Sequence, residues 1–508
     1  MGINIALFAL PRPPSAVRPL TSIKFDGCTA ILIRLTPCHA SLVMNDMKTS
    51  AKLMTAMGEG FTSSVPISDS DRGQDIINRM KDNQCWKELQ PVAGGRSILT
   101  EEQLQEAKAC PSESAFIAFM TPFFSVLVNE AHPSLRLFNS EKVTWLWNLS
   151  GDPKRNGAPD LMTTHMAFGE YAAVYRNAPN CDGERFFGRF PSPRCVDSIN
   201  CLWEGKREYA VSDIGEMEVY LSALSIHWKR QYPLVSRGIC FSTEGFHMMK
   251  VSKDVATHIT KCAWTTPGSH EELVSFLKVS DPWFLALEAA VQRHHLTLLI
   301  DTTPKACCFL GSGRNGRAFR LQNGQVLKLV VRKSSPPDEL PSEYVKMVAA
   351  YEKCPELVCR VVENSVVSNQ PVGDGEHFYD LYLLAECGLP LAYPLNEDVV
   401  LAAAGALVGL HNAGISHGDP RDANLIVVDN KYKWIDLRGG NFGCVTQTDR
   451  RFDVKIFLKS FCGVDISDKQ SLPPSLLESV QSYVAEPSIA GLATVVTQTM
   501  SLTVSTRR

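Results

Sequence analysis

The chain has 508 residues, 44% of them hydrophobic and 21% charged, with a formal net charge of −3. That length suits two or three folded domains, and the charge balance excludes a generally basic nucleic-acid coat protein while leaving room for a local basic groove. Sixteen cysteines are scattered without a CxxC pair, which excludes zinc-ribbon spacing and points to reduced, buried thiols in an intracellular protein.

In chain order, "MGINIALFALPRPP" lacks a basic flank and is cut by prolines, so it reads as a weak signal peptide. Residue 6 is Ala where a myristoylation signal wants Ser or Thr. No run looks long enough to span a bilayer, so membrane insertion is not expected. "TSSVPISDSDRGQD" reads as a loop or linker. Residues 1–100 are therefore expected to be a partly disordered N-terminal region.

From 101 the text changes. "TEEQLQEAKAC" reads as a helix capped by Thr100, and "ESAFIAFMTPFFSVLVNEAH" as an apolar helical stretch interrupted by Pro122. Strand-like pieces follow around 143–148, 160–175 and 199–206, and "MEVYLSALSIHWKRQY" has helical periodicity. "RGICFSTEGFHMMKVS" reads as two strands around a turn at Thr243-Glu244-Gly245. Two helical stretches, "SHEELVSFLKV" and "DPWFLALEAAVQRHH", lead to a boundary near 300.

Within this stretch Asp160 opens a strand-like run, while Glu204 and Lys206, two apart in another, point to the same side. One carboxylate from each of two neighbouring strands, with a lysine, holds Mg2+ and activates water on a phosphodiester. The alternative is a surface ion-pair strand. The long interval between Asp160 and Glu204 needs an inserted loop, which "NAPNCDGERFFGRFPSPRC" supplies. The pattern resembles the PD-(D/E)xK signature of restriction-endonuclease-like folds. That resemblance implies a further acid from the preceding helix, Glu113 or Glu130.

After 300, "FLGSGRNGRAFRLQNGQVLKLVV" sets Gly311, Gly313 and Gly316 in GxGxxG spacing between strand-like runs. Such glycines let the backbone approach phosphates. Lys328 shares a strand face with Val326 and Val330. It is either an edge lysine reaching water or one that holds nucleotide phosphates and pairs with a helical glutamate, Glu343 first and Glu352 second. "HGDPRDANLIVVDNKYKWIDL" carries Asp419 and Asn424 in HxDxxxxN spacing ahead of a hairpin. A hairpin centred near Asn430 sets residue 424 opposite 436, so that Asn424, Asp436 and Asp419 make an oxygen-rich pocket suited to Mg2+. Asp419 would orient and deprotonate an attacking hydroxyl while Lys328 offsets phosphoryl charge. The Ser/Thr-rich end, 486–508, is expected to be a flexible tail.

The order and spacing of these parts resemble the protein-kinase-like fold over roughly 303–480. The resemblance implies ATP at Gly311, Gly313, Gly316, Lys328 and Glu343, with "LLAECGLPL", including Glu386, as the hinge whose backbone grips adenine. It implies Asp419 as base and Asn424 with Asp436 as Mg2+ ligands. Asp453 resembles the aspartate that braces the catalytic loop; a helix-surface acid is the alternative. "HGDPRDAN" replaces the HRD loop, "IDLRGG" replaces DFG, and no APE-like segment follows. HGD loops are shared with kinases of small molecules.

A nuclease-like module followed by an HGD-type kinase module is similar to the C-terminal architecture of Crinkler (crinkling and necrosis) effectors. The expectation is an α/β multidomain protein: a nuclease-like α/β domain over 101–300 and a two-lobed kinase-like α+β domain over 301–485. The implied partners are ATP, Mg2+, a protein phosphorylated on Ser or Thr, and DNA that is bound or cut. The family also implies secretion and delivery to a host cytoplasm or nucleus, although the LxLFLAK-type header of translocated members is missing here. Two other readings stand beside it: a non-catalytic scaffold for host nuclear partners, and a small-molecule phosphotransferase.

Overall fold

The computed structural model describes residues 68–140, 159–168, 199–228, 236–252, 255–300, 308–312, 316–333, 342–373, 375–391, 395–437, 443, 445–467 and 472–505. The N-terminal 1–67, the strand-like piece at 143–148, the loop at 177–195 and Gly313 lie outside them.

The first half contains α1 (Asp69–Asp82), β1 (Trp86–Glu88), α2 (Glu101–Ala109), α3 (Glu113–Ala131), β2 (Leu135–Asn139), β3 (Leu161–His165), β4 (Ile199–Gly205) and α4 (Val211–Trp228). It continues with β5 (Ser236–Ser242), β6 (Gly245–Ser252), β7 (Val255–Cys262), α5 (Ser269–Leu277) and α6 (Pro282–Arg293). Seven strands form one mixed sheet in the order β1-β7-β6-β5-β4-β3-β2. The strands β2, β3 and β4 pair antiparallel. Then α4 crosses over so that β5 lies parallel to β4. One face of the sheet buries Trp203, Phe241 and Phe246 against Phe116 and Phe124 of α3. The other buries Leu202, Met249 and Ile259 against Ile76 and Ile77 of α1 and Ile214 of α4.

Two segments differ in detail from their sequence readings. First, the region expected to be partly disordered is folded from 68 onward: Ser68 caps α1 by accepting from Asp71 N–H, and β1 extends the sheet beside β7. The polar text of α1 conceals a narrow apolar stripe of Ile76, Ile77 and Met80. Close helix approach explains two glycines: a Cβ on Gly73 would lie 2.0 Å from Val211 O, and one on Gly215 2.0 Å from Asp69 O. Secondly, α3 runs unbroken through Pro122 for 19 residues and has the length and apolarity of a membrane span. Its inner face is spent on the sheet, as in a core helix.

The second half contains β8 (Phe309–Ser312), β9 (Arg317–Arg320), β10 (Val326–Arg332), α7 (Ser342–Lys353), β11 (Val367–Val372), β12 (His377–Leu384), β13 (Leu389–Pro390) and α8 (Glu397–Asn412). It ends with β14 (Leu425–Val428), β15 (Lys431–Trp434), α9 (Gln447–Phe457), a π-helical turn at Leu458–Cys462, α10 (Pro474–Ala485) and α11 (Ile489–Ser505). A five-stranded antiparallel sheet, β11-β12-β10-β9-β8, sits beside a helical part that holds the small sheet β13-β14-β15. The described residues thus form a mixed α/β protein with one large and two smaller sheets.

The expected flexible tail is instead α11, with Leu492, Val495, Val496 and Thr499 buried against the core that contains α8. Its Ser and Thr hydroxyls return to backbone carbonyls one turn back, as Thr499 does to Val495 O at 2.6 Å. That satisfies the polar groups which made the text look like a tail. The two sides of the boundary expected near 300 pack together. Leu299 N–H donates to Arg320 O at 2.9 Å. Phe168 and Trp283 from the first half share one core with Phe319, Leu327, Leu329 and Leu381 from the five-stranded sheet.

Candidate active site

The loop before β14 is held from below by one carboxylate. Asp453, fully buried on α9, accepts from His417 N–H at 2.7 Å and Gly418 N–H at 2.8 Å. It also faces His411 Nε2 at 3.0 Å, and His411 in turn bonds Tyr483 at 2.6 Å. Asp453 therefore braces the loop and is not a surface acid. Past it, the π turn brings Ser460 to Asp422, with a 2.6 Å bond to the side chain and a 3.0 Å bond from Asp422 N–H. Asp419 sits between these braces, ion-paired with the exposed Arg421. Asn424 Nδ2 donates to Asp419 O at 2.9 Å.

His417 is buried edge-on against Trp434 at 4.7 Å. Burial pushes it down to about 4, although Asp453, Asp419 and Asp436 pull the other way. It is therefore neutral at pH 7. Because the folded value lies below the usual 6.5, its contribution to stability is complete above pH 6.5 and is lost as pH falls toward 4. The loss is worth roughly 3 kcal/mol. Urea unfolding at pH 7 and pH 4.5 should show a shallower acid loss for His417→Phe than for wild type; equal losses would remove His417 as the cause.

The strand that follows the Gly-rich hairpin β8–β9 supplies the cation. Lys328 on β10 is buried and ion-paired with Asp436, and its Nζ lies 3.5 Å from Glu343 Oε1 on α7. It does not snorkel to water, and Glu352 is not needed as its partner. Tyr382 Oη donates to Glu343 at 2.5 Å. Burial raises the Glu343 carboxyl, with Lys328 opposing and Asp436 adding to the rise. Gly311 and Gly316 flank the β8–β9 turn; Gly311 has a φ of 157° with open space around its Cβ position. Glu386, in the 383–391 connection, is held by Lys433 at 2.8 Å.

The hairpin register differs by one from expectation. Leu425 pairs with Trp434, and Ile435 N–H donates to Asn424 O at 2.9 Å, so residue 424 faces 435 and not 436. The reason is a two-residue turn, Asp429-Asn430, in which both φ are positive. Asp436 then leaves the ladder with a φ of 58°. That left-handed residue turns the carboxylate to Lys328 despite the shifted register.

A second cluster lies at the end of β4. The pairing of Leu161 with Trp203 sets Asp160 beside Glu204. Asp160 Oδ2 accepts from Gly205 N–H at 2.8 Å, and Lys206 Nζ lies 2.6 Å from Glu204 Oε1. Burial, then Asp160, pushes Glu204 up to about 9. Its Oε2 is buried without a hydrogen-bond partner among the described residues. Glu113, at the start of α3, acts electrostatically on Lys206. Glu130, the other candidate, is not part of the cluster: it pairs with Arg96 at 2.7 Å and His270 at 2.8 Å at the far end of α3. The sequence reading missed Glu216, 3.8 Å from Lys206 and bonded to Tyr220 at 2.6 Å. The signal was available as an acid and a tyrosine one helical turn apart, just after the strand lysine.

Among the described residues, no group of three or more His, Cys, Asp or Glu side chains is gathered into a metal site outright. Two carboxylate pairs nevertheless offer oxygens that suit a hard cation: Asp436 with Glu343, and the unpartnered Glu204 oxygen beside Asp160.

No protein-family profile matches the chain, and no curated protein does. Among solved structures, one similar chain is the Mycobacterium tuberculosis PknI kinase domain. It has 17% identity and a TM-score of 0.23, over 38% of this chain and 93% of that one. Another is the Neurospora crassa PAN3 pseudokinase, with 12% identity and a TM-score of 0.24, over 38% of this chain and 58% of that one. A likeness at this level establishes neither activity nor substrate.

Proposed function

We propose that the C-terminal half is an ATP- and Mg2+-dependent phosphotransferase of the protein-kinase-like class. The observation that carries this is Lys328, buried between Glu343 and Asp436 and facing a loop braced by Asp453. Apolar residues in place of a buried ion pair are often no less stable, so the Lys328–Glu343–Asp436 group supports a role beyond stability, and we assign it the holding of ATP phosphates. Lys328 and the N–H groups of the Gly-rich hairpin bind the phosphates. Asp419 orients the acceptor hydroxyl and takes its proton. Mg2+, when bound by Asp436 and Asn424, supplies charge neutralisation at the transferring phosphoryl group. The test is γ-phosphate transfer from ATP with and without the Asp436 carboxylate.

The acceptor we favour is a protein Ser or Thr hydroxyl. A small-molecule acceptor is the second reading, on one observation: only residues 437–445 separate Asp436 from Thr446, the N-cap of α9. So short a connection leaves little chain to form a peptide platform. Transfer to generic protein substrates, against transfer to sugars or aminoglycosides, separates the two.

For the first half we propose a Mg2+-dependent nuclease site built from Asp160, Glu204 and Lys206, with Glu216 in support and DNA as substrate. The unpartnered Glu204 oxygen supports it. Plasmid cleavage should need Mg2+ and drop to background in Glu204→Gln. Cleavage that survives both changes would leave this half a scaffold. The pairing of the two halves in one chain is the architecture that the Crinkler resemblance implies; membership of that family and action in a host cell belong to the same proposal.

A further inference from the structure

Beside the Glu204 cluster lies an aromatic group that the proposed hydrolysis does not use. Tyr209 is three residues past Lys206, on the loop between β4 and α4. Its ring stacks on His247 of β6 at 4.4 Å, with 24° between planes. His247 lies 5.7 Å from Trp86 of β1, and the Lys81 ammonium stands 5.4 Å over the Trp86 ring.

Sheet register ties this group to the cluster. Glu204 pairs with Cys240, Cys240 with His247, and His247 with Lys261. Residues directly opposite share a face. Two strand spacings therefore separate Glu204 from His247, about 10 Å. That is within reach of the nucleotide next to a phosphate held at Glu204.

Two buried polar atoms in the group have no hydrogen-bond partner among the described residues: Tyr209 Oη and His247 Nδ1. A core stack would be better served by Phe and Leu, since an unpaired buried hydroxyl or ring nitrogen carries a desolvation penalty. His247 is 5% exposed, and burial holds it well below the usual imidazole range, so it is neutral. A phenol and a neutral imidazole together offer donors and acceptors to a base edge. Tyr209 is half-buried at the edge of the core that contains α1 and α4. The exposed charges nearby are mixed: Lys81, Arg207 and Lys261 against Asp82, Glu88 and Glu208. Stacking, more than charge, is what this surface provides.

We propose that Tyr209, backed by His247 and Trp86, is the platform on which an unpaired nucleobase stacks when its strand lies in the Asp160–Glu204–Lys206 site. The inference rests on the nuclease reading of that site and names its substrate more closely: a nucleic-acid strand with at least one base out of a duplex. Base stacking on an aromatic side chain tolerates every sequence, whereas the two unpartnered polar atoms add a preference among bases.

The experiment measures anisotropy of labelled oligo(dT), oligo(dA) and a duplex of equal length with the full chain, using Ca2+ in place of Mg2+ to hold back cleavage. Tyr209→Leu, which keeps apolar packing but removes the aromatic face, should weaken single-strand binding about tenfold. Tyr209→Phe should keep the affinity and narrow the difference between oligo(dT) and oligo(dA). Trp86→Leu should weaken binding less than Tyr209→Leu. Unchanged single-strand affinity in Tyr209→Leu, with thermal stability like wild type, overturns the platform. If Tyr209→Leu is thermally destabilised, Tyr209→Phe decides, and an unchanged base preference there overturns it. Should the wild type bind none of the three probes, the nuclease reading fails as well; binding and cleavage that ignore Tyr209 sink the platform alone.

Discussion

Asp436→Asn is expected to lower γ-phosphate transfer from ATP by about 10³-fold or more while leaving the protein folded. The substitution keeps volume and one oxygen but removes the negative charge that meets Lys328. Lys328 would then rely on Glu343, 3.5 Å away, whose carboxyl is raised by burial and thus gives up charge readily. Two functions are lost together: a charged ligand for Mg2+ and the fixed position of the phosphate-binding ammonium. Asp419→Asn should fall comparably for a different reason, since it removes the base while leaving the Lys328–Asp436 pair intact. Nucleotide binding distinguishes them. Thermal stabilisation by Mg2+ and ATP should persist in Asp419→Asn and be lost in Asp436→Asn. Transfer by Asp436→Asn at the wild-type rate would end the phosphotransferase reading.

The contacts of Lys328 with Glu343 and Asp436, and the Asp453 brace under the 417–424 loop, were legible because these residues lie in short linear runs whose local structure is dictated by turns. Asp419, Asn424 and Asp436 fall within one loop and one hairpin, and a two-residue Asp-Asn turn fixes the pairing. What the text could not show is that Asp436 adopts a positive φ, because nothing in "WIDL" demands it. A one-residue slip in a strand normally turns a side chain to the opposite face. Here the left-handed residue undoes the slip. Lys328 with Glu343 was readable from a charge set in an apolar strand, whereas Glu216 sits on α4, and only the packing of that helix on the sheet brings it to Lys206.

The misplaced limits of the two halves have a common cause. In α1 polar residues outnumber apolar ones, and in α11 Ser and Thr are spread among the apolar residues. Gln74 and Asn78 of α1 bond each other at 2.9 Å on the outer face, and the Thr hydroxyls of α11 fold back on their own backbone. A narrow buried stripe supports such a helix only because another element is already there to receive it, α4 for the first and α8 for the second. Composition read along one segment does not contain that partner. The three-residue β1 is likewise held by its ladder to β7, not by its own propensity.

Shared burial also predicts how the chain divides. A chain beginning at residue 301 is expected to fold poorly or precipitate, although every candidate phosphotransfer residue lies within it. The outer face of the five-stranded sheet presents Phe309, Phe319, Leu327, Leu329, Val331 and Leu381, and Phe168 with Trp283 and Leu287 of α6 covers it. Burying each such side chain contributes about 1.5–3 kcal/mol. Uncovering even part of this set removes an amount comparable to the whole net stability of a domain, about 5–15 kcal/mol. Arg317 adds a specific contact. Its guanidinium is buried 4.1 Å from the Trp283 ring centroid and 5.7 Å from that of Phe168. Without those rings a desolvated cation would remain on β9, one residue past Gly316, where the phosphates are expected. A chain beginning at residue 278 keeps α6 and should be more soluble and more stable than one beginning at 301. In the full chain, Trp283→Ala should lower the melting temperature of the phosphotransfer half and weaken its stabilisation by nucleotide. Equal melting temperatures for the 301 and 278 starts would mean that the cover is only a contact between two independent units, and that the Gly-rich hairpin owes nothing to the strand-and-helix layer beneath it.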